Sequence, residues 1–471
     1  MNPLTGSAKF LFTTLLNAVL ALFFFLFAAH FASPAFVGRV ALLQLLELGS
    51  SVALTLIPGQ VVNRELGYSL GSGNSQTQRL SGSVLVSGLL ASPFTLFILL
   101  FPRYLWLSIP YYILFIYFNY QSSILSGLGR FTEVNSMYAV FTVTRWGLST
   151  LGVFYGLRYL ILFWTLGALV RTVWGEIVLR RLGIHYSFDL GLIRRLVSTG
   201  LPLYFSGITS FIAGQGDRLL VVYLLGSYYL GIYQLVALIG GVPSLLLNSL
   251  QFSLIPSSSY HYSQGVSLEQ MGGSSFRLLS LFGFVLAPLS AGLSPLFLLH
   301  FFPAYSQGAL ALRILLISVT LTFVFSSTGY FLVTSANYKP FLVIALAGAL
   351  SDIAFSLALI PYLHILGASL AQASTDLVVS ALTLFYSVRA KAIPFTKTEK
   401  AIVLLSPLTL LGLTSVWPLS LVLVLLCYRY LGLIKRVDVE VVRKFTPSRF
   451  KGAVGVLELL CNESENRNAS W

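Results

Sequence analysis

Nine charged side chains lie inside long apolar runs of the chain, where they could pair with each other or bind a charged ligand. A charge at the centre of a bilayer costs about 2.5–3.5 kcal/mol on insertion scales, so each one needs a partner or a function. The planar fork of arginine pairs with two oxygens of a phosphate or a carboxylate at once. The nine residues are Glu47, Arg145, Arg171, Glu176, Asp217, Arg218, Arg313, Asp352 and Asp376.

Helix geometry gives the depth of these charges. A rise of about 1.5 Å per residue puts Asp217, which precedes Gly226 by nine residues, roughly 13 Å from the predicted outer helix end. The same reasoning predicts that Arg145, Asp352 and Asp376 also lie near the midplane. Arg313 and a tenth residue, Arg39, lie closer to the outer face, where a long side chain can reach water.

The composition requires that these charges belong to a membrane protein. Of 471 residues, 56% are hydrophobic and 9% are charged, and the mean hydropathy is +0.85. A soluble domain carries about 25% charged residues, so a soluble protein and a cytosolic enzyme are excluded. The bases behind the net charge of +14 form no dense stripe, so we expect no nucleic-acid partner. Cys427 and Cys461 are too few for a disulfide framework.

The apolar runs predict an all-α polytopic fold with about fourteen transmembrane helices. Each crossing needs about 20 apolar residues, and lipid leaves the backbone no hydrogen-bond partner outside a helix. The runs are 10–30, 36–62, 80–101, 104–126, 134–157, 159–179, 200–226, 228–255, 276–301, 308–335, 340–361, 363–388, 401–416 and 418–433.

Lysine and arginine concentrate in alternate connections, which predicts that both termini are cytoplasmic and that the protein lies in the cytoplasmic membrane. The predicted outer connections are short and contain no Asp, Glu or metal-ligand cluster. A membrane glycosyltransferase would need such residues there, and no phosphate-binding Gly-Lys-Ser or Gly-Lys-Thr occurs. We therefore predict no enzyme activity, no catalytic residue, no metal and no cofactor.

An internal repeat organises the runs. Ser33-Pro-Ala-Phe-Val-Gly38 and Gly226-Ser-Tyr-Tyr-Leu-Gly231 are both short outer turns that lead into a long helix, and their final glycines lie 193 residues apart. Repeats of this kind are typical of secondary transporters. The repeat predicts an amino-terminal six-helix lobe at 1–185 and a pseudo-symmetric carboxy-terminal lobe at 186–390. Two additional helices at 391–434 and a basic, polar cytoplasmic tail at 435–471 would follow.

Two stretches carry short motifs in a consistent order, and with them a family resemblance. The first holds Gly200-Leu-Pro-Leu-Tyr-Phe205, Asp217-Arg218-Leu-Leu220 and Gly231-Ile-Tyr233; the second holds Phe302-Pro-Ala-Tyr305, Leu312-Arg-Ile-Leu315, Ile360-Pro361 and Leu366-Gly-Ala-Ser-Leu-Ala371. They resemble the polysaccharide flippase family, the oligosaccharide-lipid exporters of the multidrug/oligosaccharidyl-lipid/polysaccharide superfamily. Pro34-Ala-Phe-Val-Gly38 and Val62-Asn-Arg-Glu65 match more loosely.

The resemblance implies a cargo and a mechanism. The cargo would be a lipid-linked oligosaccharide, or a related polyprenyl-phosphate-linked precursor, which moves through a cavity that opens alternately to each side. We expect the protein to act as a monomer among membrane lipids, with glycan-assembly enzymes as further partners. A pyrophosphate headgroup needs cations along its path, and the candidates to line it are Arg145, Arg218 and Arg313, with Arg39 at its mouth.

Two alternatives stay open at this point. The charges can instead form structural ion pairs, such as Glu47 with Arg145. Asp217 and Arg218 point about 100° apart on a helix, so they cannot both face one cavity squarely. The second alternative is a cation-coupled multidrug exporter of the same superfamily. The residues that could pair with the arginines or bind the coupling ion are Asp217, Asp352, Asp376 and Glu47.

Overall fold

A computed structural model of the chain describes residues 3–71, 76–243, 267–329, 331, 339–439, 457–458 and 460–461. Regular structure within these ranges is helical, with no strand. The α-helices are α1 (Pro3–Phe31), α2 (Pro34–Leu54), α3 (Gly59–Gly71), α4 (Gln76–Ala91), α5 (Ile109–Gly127), α6 (Phe131–Thr142), α7 (Leu148–Tyr155), α8 (Leu157–Arg181), α9 (Leu190–Leu225), α10 (Ser227–Gly240), α11 (Leu268–Phe301), α12 (Ala309–Ser326), α13 (Lys339–Arg389), α14 (Lys397–Leu405) and α15 (Trp417–Tyr430).

Tighter and wider helical turns connect some of these helices. The 3₁₀ segments are Ser92–Leu100, Arg103–Ser108, Pro303–Gly308 and Ser406–Leu413. Three of them have a proline in their first turn, where its missing N–H costs no hydrogen bond. A π-helical turn, Val143–Gly147, joins α6 to α7, and such turns are frequent at functional sites.

The helices confirm an all-α, multi-pass membrane fold. Seven are long and apolar enough to cross a bilayer, and each of the fourteen predicted runs overlaps a described helix. The seven are Pro34–Leu54, Thr77–Leu100, Leu157–Arg181, Leu190–Leu225, Leu268–Phe301, Pro303–Ser326 and Pro340–Arg389.

Three predicted runs differ from the structure in where they break. The run at 36–62 divides between α2 and α3, because Pro58 restricts the residue before it to extended backbone and begins a new helix. The runs at 340–361 and 363–388 belong to α13, which bends at His364 (φ 52°, ψ −126°), three residues after Pro361. The predicted run at 228–255 continues past α10 into residues 244–255, which lie outside the described ranges.

The chain forms two compact units. The first contains residues 1–215 and 225–235, and the second contains residues 216–224 and 236–471. In the first unit the core centres on α5, where Ile116, Phe118 and Ile124 are fully buried. In the second it centres on α11 and α15, around Phe284, Val424 and Tyr428. The lobe boundaries drawn from the repeat stay a prediction.

Candidate functional site

Glu47 and Arg145 form a buried ion pair in the first unit. Ser33 caps the start of α2, which carries Glu47, and the π-helical turn carries Arg145. The two terminal guanidinium nitrogens donate to the two carboxylate oxygens at 2.9 and 2.5 Å, and Tyr111 donates its hydroxyl to Glu47 at 2.7 Å. Both side chains are about 5% exposed. The carboxylate is therefore fully engaged by a bidentate pair and a tyrosine.

Aromatic rings fix the guanidinium of Arg145. Its Cζ lies 4.0 Å from the ring centre of Trp164 and 4.5 Å from that of Trp146. The indole N–H of Trp164 donates to Ser149 and that of Trp146 to Asn17, at 2.7 and 2.9 Å. Because each ring is itself hydrogen-bonded, the arginine has little freedom to move. The ion pair considered for Glu47 and Arg145 is the arrangement observed, and contact between Arg145 and a cargo stays a prediction.

Arg39 lies apart from this pair, at the start of α2. It is exposed, and its guanidinium carbon is 5.3 Å from the ring centre of Tyr104. A cation held over an aromatic face keeps its N–H groups free for another partner. The location of Arg39 at the entrance of a cargo path stays a prediction.

Arg171 of α8 is a candidate that sequence reasoning left out of its binding residues. It is fully buried, with its guanidinium carbon 3.9 Å from the ring centre of Phe118 and 3.8 Å from that of Phe141. Its charge within an apolar run was visible in the sequence. The rings around it were not, because they come from α5 and α6.

Three acids of the second unit, Asp217, Asp352 and Asp376, lie close enough to interact electrostatically. Asp217 and Asp352 are buried, whereas Asp376 is partly exposed. The carboxylate of Asp376 accepts hydrogen bonds from Ser318 at 2.6 Å and Gln372 at 2.9 Å. Asp352 receives no side-chain hydrogen bond from a described residue. Like charges in a low-dielectric interior are costly, so this set favours uptake of a proton.

The two arginines predicted in the second unit have different surroundings. Arg313 of α12 donates to the backbone carbonyl of Leu413 at 2.7 Å, which ties α12 to the 3₁₀ segment Ser406–Leu413. Arg218 of α9 is half-buried, and its backbone N–H donates to the carboxylate of Asp217 at 2.7 Å. Arg313 thus has a structural contact. That Arg218 and Arg313 line the path of the cargo headgroup stays a prediction.

A second buried ion cluster, which sequence reasoning missed, ties Glu399 of α14 and Asp438, which follows α15, to α11. Arg277 donates to both carboxylate oxygens of Asp438 at 2.7 and 2.8 Å, and to Glu399 at 2.8 Å. Burial alone would raise the pKa of Glu399, but hydrogen bonds from Thr396 and Arg277 outweigh it and hold that pKa below its usual range. The three charged side chains are all hydrogen-bonded, which is typical of a structural cluster.

Metal ligation finds no support in the described ranges, where no three His, Cys, Asp or Glu side chains are grouped closely enough to hold a metal ion.

Comparison with known proteins agrees with a transporter fold. Residues 130–302 match the family model described as polysaccharide biosynthesis protein, whereas no curated protein sequence matches the chain. The fold is similar to a solved structure of the lipid II flippase MurJ in an inward closed conformation. That match has a TM-score of 0.69 and 15% identity, and it covers 90% of this chain and 99% of that one.

Two MATE transporters, the first described as a multidrug resistance transporter, are also similar. An inward-facing member of the MOP superfamily matches with a TM-score of 0.63 and 11% identity, over 80% of this chain and 94% of its own. The Vibrio cholerae transporter VcmN matches with a TM-score of 0.54 and 15% identity, over 82% of this chain and 96% of its own. The predicted resemblance is confirmed, and these structural neighbours are transporters or flippases.

Proposed function

We propose that this protein is a flippase that moves a lipid-linked oligosaccharide, or a polyprenyl-phosphate-linked polysaccharide precursor, across the cytoplasmic membrane. The observation that carries the proposal is the fold shared with a lipid II flippase over 90% of this chain and 99% of that protein. The match of residues 130–302 to a polysaccharide biosynthesis family supports the same class of cargo. Both termini would be cytoplasmic, as the distribution of Lys and Arg predicts.

The mechanism would be alternating access. The lipid tail of the cargo stays in the bilayer while the anionic headgroup and the sugars cross through the protein. Arg39, Arg145, Arg218 and Arg313 are the proposed ligands of the headgroup, because a guanidinium fork pairs with two phosphate oxygens. Arg145 would first have to leave its pair with Glu47. The exposed guanidinium of Arg39, stacked on Tyr104, supports its place at the entrance.

The three neighbouring acids favour coupling of this movement to an ion. Asp352 is buried without a hydrogen-bonding side chain among the described residues, close to Asp217 and Asp376. Entry of a proton relieves the repulsion among them, so a proton gradient would change which conformation of the second unit is favoured. Glu47 would instead serve as the partner of Arg145.

The same acids support a second candidate, a cation-coupled exporter of drugs or toxins. The similarity to MATE transporters at a TM-score of 0.63 agrees with this alternative. Its cargo would be cationic or neutral, so it would not need the arginines as ligands.

A vesicle assay separates the two candidates. Purified protein is reconstituted with a fluorescent polyprenyl-diphosphate-linked disaccharide, and a membrane-impermeant quencher reports the fraction that has changed leaflet. We expect rapid movement of the glycolipid and none of a cationic dye. Transport of the dye without movement of the glycolipid would establish the exporter. We expect the active species to be a monomer, which single-molecule counting in the same vesicles measures.

A further inference from the structure

The guanidinium of Arg171 packs against aromatic rings in the interior of the first unit. Its Cζ lies 3.9 Å from the ring centre of Phe118 and 3.8 Å from that of Phe141. All the N–H donors of an arginine lie in the guanidinium plane. A ligand of Arg171 must therefore approach in that plane.

None of the three guanidinium nitrogens of Arg171 has a hydrogen-bond partner in the described part of the chain. The side chain is 0% exposed. Aromatic faces stabilise a cation, but they accept no hydrogen bond at its edge. A buried charge that lacks both a hydrogen bond and a counter-charge is strongly unfavourable. The arginine consequently needs an acceptor that carries negative charge.

The acids of the first unit cannot supply that charge, because each is already paired with another arginine. Residues 1–215 and 225–235 contain five acids in all. Their pairs are Glu47 with Arg145, Glu65 with Arg195, Glu133 with Arg130, Glu176 with Arg180, and Asp189 with Arg79. The unit therefore holds one buried positive charge in excess of its paired acids.

Two of these acids, Glu47 and Glu176, are held by further hydrogen bonds. Glu47 is bound through both oxygens to Arg145 and accepts a further hydrogen bond from Tyr111. Glu176 lies five residues after Arg171, about 140° around the same helix. It accepts hydrogen bonds from Tyr117, Tyr186 and Arg180. Neither carboxylate is available to the edge of Arg171.

We propose that Arg171 is an anion-binding site inside the first unit and that its ligand is a phosphate-type oxyanion. The guanidinium fork matches two oxygens of such a group, and the excess positive charge of the unit matches its negative charge. The phosphate comes either from solution or from the headgroup of a membrane lipid. The site lies among α5, α6 and α8, and it does not depend on the cargo proposed above.

The excess positive charge of the first unit predicts that substitutions at Glu47 and Arg145 change phosphate binding in opposite directions. The full chain is placed in phosphatidylcholine nanodiscs, and binding of radiolabelled inorganic phosphate is measured by equilibrium dialysis. Arg171→Met should weaken binding by about tenfold or more, because a charge-assisted bidentate contact is lost. Glu47→Gln should strengthen binding, because it adds one positive charge to the site. Arg145→Met should weaken it, because Glu47 is then free to neutralise Arg171.

A second measurement identifies the source of the phosphate. If a lipid supplies the phosphate, phosphatidate in the nanodisc should raise the unfolding temperature of the wild type, and inorganic phosphate should leave that temperature unchanged. Arg171→Met should then abolish the response to phosphatidate. If free phosphate supplies it, inorganic phosphate alone raises that temperature. The matched control is Arg158→Met, which removes an exposed arginine from the same helix and should leave both responses unchanged.

The proposal is overturned if wild type and Arg171→Met respond equally to both probes. If Arg171→Met does not fold, Arg171→Lys and Glu47→Gln decide. Lysine keeps the charge but loses the fork, so binding should fall only in part, whereas Glu47→Gln should still strengthen it. Unchanged binding in both variants would assign Arg171 a packing function alone.

Discussion

Gly38 of α2 and Gly231 of α10 meet in a reciprocal backbone contact within the first unit. A Cβ atom on Gly38 would clash with the carbonyl oxygen of Ser227, and one on Gly231 would clash with that of Pro34. Each carbonyl belongs to the residue four positions before the opposite glycine. The contact therefore relates the two helix starts by a local two-fold symmetry with the same 193-residue offset as the sequence repeat.

Alanine at either glycine should destabilise the protein, because the clash involves a backbone carbonyl that cannot rotate away. For Gly38→Ala and Gly231→Ala we expect a loss of about 1–3 kcal/mol or more, the usual cost of overpacking. Thermal unfolding of the purified protein in detergent measures it. Gly67→Ala on α3 is the control, since a Cβ there meets nothing within 4 Å. Equal unfolding temperatures for all three variants would contradict the contact.

The Glu47–Arg145 pair should behave as a unit in unfolding experiments. Arg145→Met or Glu47→Gln alone should cost about 3–5 kcal/mol, because each change disrupts a buried ion pair. The double variant should regain much of this loss. A double-mutant cycle of unfolding free energies checks the coupling, and an additive cycle would refute it.

The same double variant also tests contact between Arg145 and the cargo. If Arg145 only holds helices together, a folded double variant should move the fluorescent glycolipid at nearly the wild-type rate. If Arg145 binds the headgroup, the folded double variant should lose most of this activity.

The membrane fold was predictable from sequence because a bilayer imposes long apolar helices, whatever the details of packing. The pairing of Glu47 with Arg145 could be considered in advance because both charges lie in apolar runs. The position of Arg145 in a π-helical turn could not, because that turn depends on the tertiary contacts of its helix.

Sequence reasoning failed where partners are distant in the chain. Arg277 looked like an ordinary base in a predicted inner connection, yet its partners Glu399 and Asp438 lie 122 and 161 residues away. Arg171 was visible as a charge within an apolar run. Its significance depends on Phe118 and Phe141, which only the packing of α5, α6 and α8 brings against it.

The acid cluster of the second unit gives a transport prediction. A proton gradient should no longer accelerate glycolipid movement in the Asp352→Asn variant. The same change should raise the free energy of unfolding by about 1 kcal/mol, because it removes a buried charge that has no side-chain hydrogen bond. Asp376→Asn is the matched variant. It should lower stability, because it disturbs hydrogen bonds from Ser318 and Gln372. Gradient-driven transport by Asp352→Asn at the wild-type rate would exclude Asp352 from coupling.

The Arg277 cluster should make stability depend on pH in a defined direction. The pKa of Glu399 is held below its usual value of 4.5 despite burial, so its ionised form is the one that the fold stabilises. This contribution is complete above the pKa of the unfolded chain and is lost as the pH falls through the lower, folded pKa. Unfolding temperatures recorded from neutral to acid pH should therefore drop at the acid end. Glu399→Gln should be less stable at neutral pH and should show a smaller drop, because it cannot ionise. An identical pH profile for this variant would show that another group is responsible.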